Sequence, residues 1–60
     1  MILRKVSNLR PGDRVVIHHT AVEVEEIEPS LIIDGKVRVH FADAPSRDLL
    51  EEDYIEIVML

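Results

Sequence analysis

The stretch Leu9-Arg10-Pro11-Gly12-Asp13-Arg14-Val15-Val16-Ile17 constrains this chain more than any other. Proline holds φ at about −65° and glycine takes φ > 0 without steric cost, so Pro11-Gly12 suits the central positions of a type II turn. Three β-branched residues follow at once: Val15, Val16 and Ile17. Such side chains pack well on a pleated, half-buried surface, so the turn leads directly into a strand. The remainder of the sequence reads as further short strands that must close over this one.

Taken in order, Ile2 to Val6 is an apolar segment suited to an edge strand, and Leu9 is the residue of the following turn expected to point inward. The first main strand is expected over Val15 to His19, with a tight connection or bend at Thr20-Ala21. Val22-Glu23-Val24-Glu25 then alternates strictly, which puts both valines on one face. Glu26 breaks the period before Ile27, as one extra residue in a β-bulge would. Glu28-Pro29-Ser30 interrupts the pattern, because proline cannot donate to a ladder.

Leu31-Ile32-Ile33, Asp34-Gly35 and Lys36-Val37-Arg38-Val39-His40-Phe41 together carry the strongest hairpin signal, since Asp-Gly favours a two-residue type I′ turn. Val37, Val39 and Phe41 share one face; Lys36, Arg38 and His40 share the other. A two-residue turn sends Ile32 to the core and leaves Leu31 and Ile33 outside. A three-residue turn with a bulge reverses them. Ala42 to Arg47 is a loop. Asp48-Leu49-Leu50-Glu51 has capping-box spacing, so Asp48 to Asp53 is expected to form one helical turn. Tyr54 to Val58 is the closing strand, with Ile55 and Ile57 on one face. The expectation is an all-β fold of five short strands, closed into a small barrel so that no long edge stays open.

Sixty residues make a single domain, 1–60. A chain this short buries only about 60% of its unfolded surface, so it needs efficient packing or self-association. It has no cysteine, which removes disulfides and thiolate metal sites and fits a reducing compartment. The net charge of −5 is distributed in alternating blocks. Residues 1–19 are basic through Arg4, Lys5, Arg10 and Arg14, and residues 35–47 through Lys36, Arg38 and Arg47. Residues 20–34 and 48–60 are acidic. Alternating blocks favour cross-strand ion pairs. No apolar run approaches the 18 or so residues of a membrane-spanning helix. With Met1 at its start, the chain is expected to be a whole, cytoplasmic gene product with no membrane partner.

Leu9 with Pro11-Gly12-Asp13-Arg14-Val15, the Asp34-Gly35 hairpin with Val37-Arg38-Val39, and the turn Leu49 to Asp53 before Ile55-Glu56-Ile57 resemble a small SH3-like barrel of the KOW, Tudor and prokaryotic SH3-like group. The resemblance spans nearly the whole chain and implies binding of other proteins or of nucleic acid. Certain subtypes are excluded by residue count. A polyproline groove and a methyl-lysine cage both need several aromatic walls, and only Phe41 and Tyr54 are aromatic. Thr20-Ala21 also stands where a KOW module commonly has glycine after its first strand.

No catalytic constellation emerges, and the chain is expected not to be an enzyme. Ser7, Thr20, Ser30 and Ser46 sit in turn-like contexts where local backbone bonding explains them. Adjacent strand side chains point to opposite faces, so His18 and His19 cannot grip one metal together. No metal site and no cofactor are expected. The leading expectation is a protein-interaction module that docks on a larger protein or pairs with itself as a homodimer. Its anchors would be Leu31, Ile33 and Tyr54, with Arg38 as rim charge. Ile2, Leu3, Leu31, Ile33, Val58, Met59 and Leu60 exceed what one small barrel can bury, and such an excess marks interfaces when it gathers outside. A second reading is a nucleic-acid-binding accessory protein using Arg4, Lys5, Arg10 and Arg14. A third is a small acidic, phage-like inhibitor that uses segments 23–28 and 48–56 to occupy a basic site.

Overall fold

The Arg10–Asp13 turn forms as its residues dictate. In the computed structural model, which describes residues 1–59, the Asp13 N–H donates to the Arg10 carbonyl at 3.1 Å. Gly12 lies at φ 95°, the left-handed conformation that the third position of a type II turn requires. The Asp13 carboxylate also accepts from the Arg10 N–H at 2.8 Å, which locks the turn from the other side.

The described residues form six strands and one 3₁₀ turn, Val6–Asn8. The strands are β1 (Ile2–Lys5), β2 (Arg14–Ile17), β3 (Thr20–Pro29), β4 (Lys36–Phe41), β5 (Arg47–Leu50) and β6 (Tyr54–Val58). They build an antiparallel sheet in the order β1-β6-β2-β3-β4-β5. As expected, Ile2–Lys5 is an edge strand. No helix among the described residues is long and apolar enough to cross a membrane.

β3 organises the sheet because it pairs with two neighbours in succession. Thr20–Glu23 pair with β2, and Val24–Pro29 pair with β4. The register shifts between Val24 and Glu26. This is the bulge expected from the broken alternation, and it has a clear consequence. One extra residue flips the parity, so that Ile27 follows Val22 and Val24 onto the core side. The buried core is Val6, Leu9, Val15, Val24, Val39, Phe41 and Ile57, edged by Ile17, Val22, Ile27, Val37, Ala44, Leu49 and Ile55. Leu9 and the Val37/Val39/Phe41 face thus lie where the sequence puts them.

Three hydrogen bonds anchor the turn between β5 and β6. The Val6 N–H donates to the Asp53 carbonyl at 2.8 Å and the Ser7 N–H to the Glu51 carbonyl at 3.1 Å. The Glu51 N–H donates to the Gly35 carbonyl at 2.9 Å. The turn after β5 therefore links the chain leaving β1 to the loop before β4.

Four expectations are corrected. The described strands number six, not five, because Arg47–Leu50 is a strand and the expected helical turn over Asp48–Asp53 does not form. Asp48 does not cap a helix. Its carboxylate accepts from Arg38 Nε at 2.9 Å across the ladder, and Leu49 stands opposite Val37 at the edge of the core. The Asp34-Gly35 pair does not make a type I′ turn either. That turn needs φ > 0 at both central residues, and of the two only Gly35 has it, at 79°.

β3 instead stops at Pro29, and the Ser30 N–H donates to the Lys36 carbonyl at 3.1 Å, closing a loop over residues 30–35. Leu31, Ile32 and Ile33 belong to this loop, so neither expected hairpin register applies. The last correction concerns the first main strand, which ends at Ile17, not His19. His18 and His19, at φ 49° and 66°, form the two-residue turn into β3. A turn here pairs Val15 with Val22 and keeps the valines on one face. A turn at Thr20-Ala21 would have set Glu26 opposite Val15.

Candidate functional site

Two features at opposite ends of the β3–β4 pair stand out. The first is the loop over residues 30–35. Ser30 shapes it: its Oγ accepts from the Ile32 N–H at 3.4 Å and from the Ile33 N–H at 3.3 Å. That turn holds the backbone while the side chains of Leu31, Ile32 and Ile33 face solvent, at 99%, 81% and 43% exposure. Leu50, opposite Lys36 in the neighbouring strand, is exposed as well. Three consecutive large aliphatic side chains in water oppose folding economy and invite association.

The second feature is a cleft of about 470 Å³ between the tip of the β2–β3 hairpin and the segment after β4. Ile17, Val22, Phe41 and Ala44 make its apolar floor; His18, Thr20, Asp43, Ser46 and Arg47 make a polar rim. This volume falls within the range of about 300–1,000 Å³ typical of binding pockets. Arg47 stands opposite Val39 on the core-facing side of edge strand β5, which sends its guanidinium across the cleft mouth. There Arg47 Nη1 lies 3.0 Å from His18 Nε2. A guanidinium can only donate, so in this contact the imidazole nitrogen is the accepting partner. The rim thus carries Arg47 and Asp43, of opposite charge, with a histidine held in a strained left-handed conformation.

The expected anchors are dispersed. Leu31 and Ile33 share the loop, and Ile32 joins them there. Tyr54 is exposed at the start of β6, in register with Lys5 of β1. Arg38 lies on the outer face of β4, bound through Nε and Nη2 to the two Asp48 oxygens at 2.9 and 3.4 Å. This hydrogen bond and the opposite charge hold Asp48 below the usual carboxylate range and raise the Arg38 guanidinium. On the same face His40 Nε2 meets Glu28 Oε1 at 3.3 Å, so the polar groups of this surface are largely engaged with one another.

Of the apolar excess, Ile2, Leu3, Leu31, Ile33 and Met59 are exposed and Val58 is half-buried. Leu60 lies outside the described residues. The basic residues proposed for nucleic acid are partly committed elsewhere. Arg4 Nη1 meets Asp13 Oδ2 at 3.0 Å, and Lys5 Nζ meets Glu52 Oε2 at 3.0 Å. The bond to Glu52 holds the Lys5 amine above its ordinary value. Arg10 and Arg14 stay exposed. Arg4 and Arg14 line a shallower depression of about 250 Å³ together with Asp13 and Met59. In the acidic segments, Glu23 stands opposite Arg14 and Glu26 opposite His40.

Sequence reasoning missed the cleft because its walls come from residues 17–22 and 41–47, joined only by folding. The available signal was His18-His19, read as a strand end. Comparison with known proteins finds no matching family model, and no curated protein or solved structure matches the chain significantly.

Proposed function

We propose that this chain is a small SH3-like barrel that acts as a non-enzymatic docking module, engaging another protein chain through the Leu31-Ile32-Ile33 loop. The observation that carries this reading is the run of three consecutive exposed aliphatic side chains on a backbone held by Ser30. A soluble protein rarely keeps such a run unless something covers it. A convex apolar tip suits a concave apolar surface, with Asp34 and Lys36 supplying polar contacts at its margin. Two features support the barrel reading. The bulged strand β3 is shared by both halves of the sheet, and the chain leaving β1 bonds to residues 51 and 53 of the turn after β5. The lack of cysteine fits work in a reducing cytoplasm.

The test compares the native chain with Ile32→Asp as bait. Because Ile32 is exposed, the substitution should leave stability within about 0.5 kcal/mol by urea denaturation. The native bait should retain a protein that the variant loses. Equal retention by both would overturn the docking role of the loop.

A further inference from the structure

We propose that the surface receiving this loop is the apolar cleft of a second copy of the chain, so that molecules join head to tail. The inference rests on the docking role proposed above and names its partner. Loop and cleft lie at opposite ends of one strand pair: the loop precedes Lys36, the first residue of β4, and the cleft contains Phe41, its last. The six residues of β4 lie between them, so no copy reaches its own cleft with its own loop.

The shapes match, a protruding aliphatic tip against an open cavity of about 470 Å³ floored by Ile17, Val22 and Phe41. The charges match too. The tip is flanked by Asp34 and Lys36, while the rim offers Arg47 and Asp43. Both signs therefore find an opposite, which favours the correct encounter. Loop-to-loop pairing about a two-fold axis would set convex against convex and leave both clefts empty. A head-to-tail contact is heterologous and does not end at a dimer; it grows into chains, or into rings where the rotation closes. One loop is a small interface, below about 1,000 Å², so association is weak and develops at high protein concentration.

The experiment is sedimentation from micromolar to millimolar protein, with two variants. Ile32→Asp disables the tip, and Ser46→Trp covers the cleft from its rim. Native protein should gain mass with concentration beyond the dimer, and each variant alone should stay monomeric. An equimolar mixture of the two should form a dimer and stop there, because one intact tip then meets one intact cleft. A native dimer that grows no further, with no rescue in the mixture, would overturn the inference.

Native protein that stays monomeric would also overturn it, while loop-dependent retention of a different protein would leave the docking role standing. A second measurement guards against an ineffective Ser46→Trp. The chain has no cysteine, so Leu31→Cys can carry a single nitroxide label, mixed with isotope-labelled native protein. Intermolecular broadening centred on Phe41 and Ala44 supports the inference, and broadening confined to residues 30–35 overturns it.

Discussion

His18 and His19 hold the two least comfortable backbone conformations of the described non-glycine residues, both in the left-handed region. An L-residue there carries about 1–2 kcal/mol of steric cost, tolerated by histidine more often than by bulky residues. His18 repays it by meeting Arg47 over the cleft, whereas His19 has no side-chain hydrogen bond among those seen and is exposed. His19→Gly should therefore stabilise the protein by about 1 kcal/mol, read as a higher urea midpoint. An unchanged or lower midpoint would show that the turn is unstrained.

Asp48 supplies a second prediction at this scale. Its folded-state pKa is depressed by Arg38, so its contribution is present above the unfolded carboxylate pKa of about 3.9 and is lost as pH falls through the folded value. Asp48→Asn should lower stability at neutral pH and leave a shallower loss on acidification. An acid limb as steep as the native one would remove Arg38–Asp48 as its source.

The bulge in β3 shows how an element can depend on residue count and not on residue identity. Glu25 is exposed, and Glu25→Ala should change stability by no more than about 0.5 kcal/mol. Deleting Glu25 restores strict alternation without the bulge and still places Val22, Val24 and Ile27 on one face. The deletion variant should keep a cooperative thermal transition, and loss of that transition would show that β3 needs the bend at the bulge and not the parity alone.

This bulge was legible in the sequence because it interrupts a local period, as were the Pro11-Gly12 turn and the inward face of β4. The two hairpin turns were not. Local propensity favours Asp34-Gly35 over His18-His19, but the register that gathers Val15, Val22 and Val24 on one face outweighs propensity. Strand β5 was illegible for a related reason. Four residues carry too little periodicity, and their pairing with β4 is a tertiary fact. The exposed aliphatics at Leu31 and Ile33 could be anticipated from composition, whereas the cleft that would receive them needed the fold.

For the molecule as a whole, the decisive contact is the seam where residues 6 and 7 meet residues 51–53. It carries the β1–β6 pairing on into the turn that follows β5, and Val6 lies under it at 2% exposure. A terminal edge strand alone would fray, and its amides would exchange with solvent far faster than those of the centre. With this seam in place, opening Val6 also releases the turn between β5 and β6. The Val6 and Ser7 amides should therefore exchange only through global unfolding, at the rate of the slowest core amides, although they follow a four-residue edge strand. A total stability of roughly 3–9 kcal/mol is expected for a chain of this size. Against that, Val6→Ala should cost about 2 kcal/mol through lost burial and the cavity left behind. It should also accelerate exchange of central amides such as Val15 by the same factor as Val6 itself. Acceleration confined to residues 2–7 would mean that the sheet is an open one with a loosely attached edge.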